Sequence, residues 1–315
     1  MSRQPARENS RPVARYRKVF VVVPANAVTG GPEALHQLVD AIRQSGGESY
    51  VSYYPFEVPA VVPQEYQRYD VLQAAPEDAS GNLVVLPEIL PHVAREFSRA
   101  SVAIWWLSVD NFFGLQDQPE WGELRRHLNL AQSNYAMQFL ARHGISTVPL
   151  TDYLNEDFHA PVHSMGRRNA IAYNVKSRLE VERLKRASRE IAKLTWIEIA
   201  NVPRAQVRTL LSEVKVYADF GHHPGRDRMP REAAMCGACV LTNRRGSARD
   251  GEDVPLPRLY RLDHEEPGFP QNVVRTIRFI FATRLFHAWR QQGYRRFVAG
   301  GKSTFLGEVR RAFFE

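Results

Sequence analysis

Apolar strands alternating with amphipathic helices predict an α/β protein of two doubly wound parallel-sheet domains. Three observations carry this. Strand-like runs precede helix-like runs over residues 18–154 and again over 170–243, a pattern in which each helix is the crossover between parallel neighbours. Between the two series lies NEDFHAPVHSMGRRN (155–169), a polar stretch without periodicity. The 315 residues, 44% hydrophobic and 24% charged, suffice for two domains of ordinary size.

The first series opens with a continuous apolar strand from residue 18 and a loop ending in Gly30 and Gly31. A helix follows, with Pro32 and Glu33 in its first turn and Leu35, Leu38, Val39 and Ile42 on one face. The unit lacks the G-x-G-x-x-G spacing of a dinucleotide site. ESYVSYYPF (48–56) is the second strand; NLVVLPE (82–88) is the third, with Glu88 at its end and a helix expected over 89–100. SVAIWWLSVDNFFG (101–114) runs into Asp110, Asn111 and an aromatic turn. Such polar strand ends beside aromatics either grip a sugar by hydrogen bonds and stacking or merely cap the turn. A strand and helix fill 129–145, and 146–154 is one more strand.

In the second series, strand 170–175, helix 176–194, strand 195–201 and helix 203–214 lead to VYADFGHHPGRDRMPREAAMCGACVLTN (216–243). This stretch reads with least ambiguity as strand, turn-forming loop, short helix from Pro230 to Gly237, and strand. Its loop leaves the carboxyl end of a strand, where open α/β sheets bind ligands. A helix N-terminus fronted by Gly221, Gly225, Arg226 and Arg228 offers N–H groups, dipole and guanidinium forks to a phosphate. The competing reading is a solvated turn with Glu232 complementing the dipole. Gly246 and Ser247 stand at the next strand end, YRLD (260–263) is a short strand, and amphipathic helices fill 273–292 and 303–315.

The net charge of +8 suits anionic partners. No zinc-finger spacing, RNP-like strand or basic heptad favours nucleic acid. No apolar run reaches about 18 residues, and a secretory signal is missing, so the cytoplasm is the expected compartment. Residues 1–17 read as a disordered basic leader. Cys236 and Cys239 read as buried small residues at a helix-to-strand junction, since the pair lacks the further ligands of a metal site.

REAAMCGACVLT (231–242) resembles the donor-binding segment of retaining GT-B glycosyltransferases, family 4 in particular, where E-x7-E precedes A-M-A-x-G-x-P-V. The second glutamate of that pattern would be Glu232. The first falls on Pro224, so its work would pass to His222, His223 or Asp227. Gly30, Gly31 and Glu33 resemble the family's G-G-x-E opening, whose glycine loop faces the donor phosphates. The resemblance implies two Rossmann-like domains facing a cleft: an acceptor domain over 18–155, a linker over 156–169, a nucleotide-sugar domain over 170–283, and C-terminal helices over 284–315 that cross back onto the first domain.

The implied activity is transfer of a hexosyl unit from a nucleotide-diphosphate sugar to a glycan, glycolipid or other hydroxyl acceptor, with retention, as in polysaccharide biosynthesis. Lys176 or Arg178, Gly225, Arg226, Asp227, Arg228 and Ser247 would hold the donor beside Gly30 and Gly31, and Glu88, Asp110 and Asn111 the acceptor. The nucleotide sugar is a co-substrate; no cofactor or metal is expected. Inversion would require a general base from Asp110, His222 or His223. The aromatic and arginine mixture of the last helices also suits peripheral contact with an anionic membrane. Alternative readings are a catalytically silent nucleotide- or glycan-binding module and a nucleotide-sugar epimerase.

Overall fold

The computed structural model describes residues 14–112, 120–158 and 166–315. Most of the basic leader, the end of the aromatic turn and the centre of the linker lie outside these residues.

The first series forms β1 (Val19–Pro24), α1 (Gly30–Gln44), β2 (Ser49–Tyr54), β3 (Leu83–Pro87), β4 (Ser101–Trp106), α2 (Trp121–Leu124), β5 (Leu128–Ala131), α3 (Asn134–Arg142) and β6 (Val148–Pro149). Its six strands are parallel, in the order β2-β1-β3-β4-β5-β6. Both faces are covered, which is why the strands read as unbroken apolar runs. Val19, Val21 and Val23 point into one core while Phe20 and Val22 point into the other, and Trp105 and Trp106 divide in the same way.

The second series forms β7 (Arg168–Asn174), α4 (Arg178–Ala187), α5 (Arg189–Ala192), β8 (Thr195–Ile199), α6 (Arg204–Glu213), β9 (Val214–Asp219), α7 (Arg228–Met235) and β10 (Cys239–Thr242). Its sheet is parallel, ordered β10-β9-β7-β8, and Arg261 adds one bridge to Thr242 where a short strand was expected. Four helices end the chain: α8 (Phe269–Ala282), α9 (Arg284–Arg290), α10 (Gln292–Ala299) and α11 (Gly301–Phe313). Residues of α8 and α10 fill the second core, whereas Phe305, Val309 and Phe313 of α11 fill the first beside Leu35 and Leu38 of α1. The return onto the first sheet is therefore made by α11.

Local chemistry moves several boundaries. The helix expected over 89–100 is a 3-10 turn over Pro91–Glu96, because the Asp78 carboxylate takes the N–H groups of Ser98, Arg99 and Ala100 at 3.1, 2.8 and 2.8 Å. Ser188 breaks 176–194: its backbone is extended and its hydroxyl accepts from Ile191 N, starting a new helix. The helix expected at Pro230 starts two residues earlier, at Arg228, and the proline still lies in the first turn, where its missing N–H leaves no bond unmade.

Candidate active site

Each sheet has one point where the strand order reverses, and the crevice at such a point opens beyond the carboxyl ends of the strands. In the first sheet it lies between β1 and β3, under the Gly30 loop and Glu88; in the second it lies between β7 and β9, under Lys176 and the loop 220–227. The two crevices meet. A Cβ on Gly225 would stand 2.2 Å from the Leu107 carbonyl oxygen, and one on Gly30 would stand 2.8 Å from Arg228 Cδ. The two segments touch only because neither residue carries a side chain.

Beside Gly30 lies a hollow of about 430 Å3, lined by Gly30 and Glu33 from the first domain and by Arg204, Arg228 and Glu232 from the second. Glu33 is buried at the start of α1 and is ringed by donors: Tyr69 Oη and Asn155 Nδ2 at 2.7 Å each, Arg204 Nη1 at 3.1 Å, and Arg228 Nη1. Burial alone would raise its pKa, but Arg228 and Arg204 outweigh that and bring it to about 2. Arg228 also reaches the Tyr153 carbonyl at 3.1 Å. Glu232 is buried 3.8 Å from Arg204, and its pKa is raised because burial exceeds the pull of Arg228, Arg204 and Arg231. Arg204 and Arg228 thus face two buried carboxyl groups, Glu33 and Glu232, and Glu65 is a third acidic residue on the wall of the hollow.

The loop 221–227 is fixed from both sides. Gly221 N donates to Ser177 Oγ at 3.2 Å, Arg226 N to Gln132 Oε1 at 2.9 Å, and Ser247 donates to two of the loop's carbonyls, N to His223 O at 2.9 Å and Oγ to Gly225 O. Ser247 is therefore buried beneath the loop. Asp219, His223 and Asp227 bring ligand atoms within 4.8 Å of one another, a spacing that admits a metal ion. Their charges already have partners: His223 Nδ1 lies 3.1 Å and Lys176 Nζ 3.0 Å from Asp227, and Asp219 accepts from Asn174 and Tyr217. Burial lowers the His223 pKa, but Asp219 and Asp227 raise it by more, so a proton competes with a metal ion for the imidazole.

Asp110 and His222 meet across the rim, Nε2 lying 2.6 Å from Oδ2, with Tyr135 Oη donating to Asp110 at 3.1 Å. Asn111 is exposed in the adjoining turn. Glu88 is buried beneath this rim and accepts from Leu107 N and Ser108 N at 3.0 and 3.1 Å; burial raises its pKa to about 7. Arg178 is exposed on α4 and paired with Glu198 at 2.6 Å. Arg226 lines a separate hollow of about 190 Å3, its guanidinium buried 4.8 Å from the Phe297 ring centroid. Gly30, Arg228 and Glu232 thus come together; Arg226 and Arg178 do not join them.

Sequence reasoning missed Arg204, Asp152 and Arg231. Asp152 follows β6 and binds Arg231 Nη2 at 2.8 Å and Gln132 Nε2 at 3.0 Å, and its pKa is lowered because the arginines outweigh burial. Its place just past a parallel strand is the signal that could have found it. Asp253, also missed, lies across the seam and accepts from the N–H groups of Asn134 and Tyr135 at 2.8 Å each, capping α3.

No family model and no curated protein matches the sequence. Solved structures do match the fold. The chain aligns with Anabaena HepE in complex with UDP and glucose over 94% of this chain and 99% of that one, at a TM-score of 0.61 and 10% identity. An α,α-trehalose-phosphate synthase (UDP-forming) from Burkholderia vietnamiensis aligns over 94% and 98%, at 0.62 and 11%. The catalytic domain of Arabidopsis thaliana starch synthase IV, bound to ADP and acarbose, aligns over 94% and 99%, at 0.57 and 8%. Over nearly its whole length the chain therefore has the GT-B architecture, and at these identities the likeness is one of fold.

Proposed function

We propose that the protein is a glycosyltransferase that moves a hexosyl unit from a nucleotide-diphosphate sugar to a glycan or lipid-linked hydroxyl acceptor, with retention, in polysaccharide or glycolipid assembly at the inner face of a membrane. One observation carries the reading: the 430 Å3 hollow where the Gly30 loop and Glu33 oppose Arg204, Arg228 and Glu232 at the strand ends of a GT-B fold. UDP- and ADP-bound neighbours of that fold support a nucleotide donor.

In this reading the second domain holds the donor and the first the acceptor. The diphosphate lies between the Gly30-Gly31 loop and the α7 N-terminus, where dipole and guanidinium charge stabilise the leaving group without a metal. Lys176, half-exposed on Asp227, exchanges that partner for phosphate. Glu232 accepts a hydrogen bond from a donor hydroxyl, and the departing phosphate takes the acceptor proton on the same face. A second reading is favoured by the 2.6 Å Asp110–His222 contact, since an imidazole oriented by a carboxylate is a general-base arrangement and would give inversion.

Thermal unfolding against UDP, GDP, ADP, CMP and dTDP and their sugar conjugates selects the donor, because a ligand of the folded state raises the midpoint. With that donor, Glu232→Ala should lower transfer at least about 100-fold while the unfolding midpoint holds; near-normal turnover removes Glu232 from the site. Proton NMR of the product's anomeric centre decides between retention and inversion. A donor that binds yet is neither transferred nor hydrolysed would make the protein a silent module.

A further inference from the structure

Helices α8 to α10 present a face that the cleft does not use. On α8, Val273, Ile277 and Ile280 enter the core, yet Phe279 is 44% exposed, and Leu285, Phe286 and Trp289 of α9 are 70%, 44% and 67% exposed. These residues form one patch: the Phe279 and Trp289 rings flank Phe286 at 6.0 and 6.3 Å between centroids. Scattered apolar residues on a surface need no explanation, but a contiguous cluster marks an interaction site.

The charge around the patch identifies the occupant. Residues 269–307 contain six arginines and one lysine and not one aspartate or glutamate. Arg275, Arg278, Arg290 and Arg296 are exposed, and Glu190 is the acidic partner of Arg278, at 3.0 Å. A hollow of about 370 Å3 beside Trp289 is lined by Arg290 and Arg296. Another, of about 560 Å3 beside Leu285 and Phe286, is lined by Lys215. Aromatic and aliphatic side chains rimmed by cations are what the boundary of an anionic bilayer selects: rings settle at headgroup depth and arginines meet lipid phosphate.

We propose that this face docks on an anionic lipid surface, Leu285, Phe286 and Trp289 entering the headgroup boundary and Arg290 and Arg296 holding lipid phosphate. Lipid binding is read without nucleotide sugar or turnover, so its failure is separate from failure of the reading of the cleft.

The test is sedimentation of the full chain with vesicles of phosphatidylcholine containing phosphatidylglycerol, and with vesicles of phosphatidylcholine alone. The protein should sediment with the first and much less with the second. Arg290→Gln with Arg296→Gln should weaken anionic-vesicle binding about 25-fold, roughly fivefold for each arginine brought to the surface. Leu285→Ser with Trp289→Ser should weaken it at least about 30-fold. All four side chains are exposed, and an unchanged unfolding midpoint verifies the fold of each variant; the leader arginines are the same throughout. No binding to anionic vesicles, equal binding to both vesicle types, or binding that neither variant weakens overturns the proposal. So does self-association, measured without lipid, that the Leu285 and Trp289 changes abolish, since the occupant is then a second copy.

Discussion

Glu33 and Glu88 are both buried carboxyl groups of the first domain, both near the seam with the second, and their pKa values move in opposite directions, to about 2 and about 7. Burial acts on each in the same sense. The difference is what faces them. Glu33 looks across the seam at two guanidinium groups, whereas Glu88 meets the N–H groups of Leu107 and Ser108 on its own domain. Backbone dipoles offset only part of the desolvation of a carboxylate; full opposite charges exceed it. The Glu33 region is therefore where the two domains are bound electrostatically, and the Glu88 region is where one domain shapes a turn for the other to rest on.

Removing the charge at Glu33 should have the largest effect. Glu33→Gln takes from buried Arg228 its nearest anion, leaving Asp152 at 3.7 Å, and loss of one partner of such a pair costs about 3–5 kcal/mol. Chemical denaturation at neutral pH measures it. The same ion pairs set an acid limit. The folded pKa lies below the unfolded value near 4.5, so the stabilisation is complete above about pH 4.5 and is lost as pH falls towards 2. A displacement of that size corresponds to about 3 kcal/mol. In Glu33→Gln this acid-side loss should shrink by that amount; an unchanged acid limb would mean that other carboxyl groups set it.

The contrast also shows what the sequence made legible. Strands and helices followed from apolar runs and spacing, and Gly30, Glu33 and Glu232 were marked by the resemblance of the GGPE and REAAMCGACVLT stretches to a family pattern. The roles of the arginines were not legible. Arg228 and Glu33 are 195 positions apart, and nothing local in GRDRM says that Arg228 faces a carboxylate of the other domain while Arg226 packs on Phe297. A sequence reports a charge but not its partner. The helix predicted after Glu88 failed for a related reason, since Asp78, some 20 residues earlier, captures the N–H groups that would have continued it.

A steric change comes next in size. Gly225→Ala would place a Cβ 2.2 Å from the Leu107 carbonyl oxygen and 2.9 Å from Gln132 Oε1, both across the seam. Overpacking of this kind costs about 1–3 kcal/mol. The backbone of the 107–108 turn is pinned by Glu88, so the domains rather than the turn should give way. Hydrogen exchange should then rise along the seam, at Asn134 and Tyr135, whose N–H groups rest on Asp253, while the amides of β1 and β9 stay protected. Faster exchange confined to 107–108 would place the flexibility in the turn instead.

The smallest net change is expected at Glu88, and its pH dependence is the informative part. A carboxyl whose folded pKa is raised from about 4.5 to about 7 contributes stability that is complete below pH 4.5 and lost as pH rises through 7. The wild-type protein should lose about 2–3 kcal/mol from this group between pH 5 and 8. Leu107 N and Ser108 N meet different oxygens of Glu88, so Glu88→Gln keeps an acceptor for one of them and carries no charge. At pH 8 it gains what ionisation of the glutamate would cost and gives back a similar amount, about 1–3 kcal/mol, for an amide NH2 without a partner there. Its net stability change at pH 8 should therefore lie within about 1 kcal/mol of zero, while the slope between pH 5 and 8 flattens. The windows of the two carboxyl groups do not overlap, so one set of unfolding curves from pH 2 to 8 separates them. A slope in the variant as steep as in the wild type would mean that Glu88 is ionised in the folded protein and that the two backbone N–H groups alone suffice to hold a buried carboxylate.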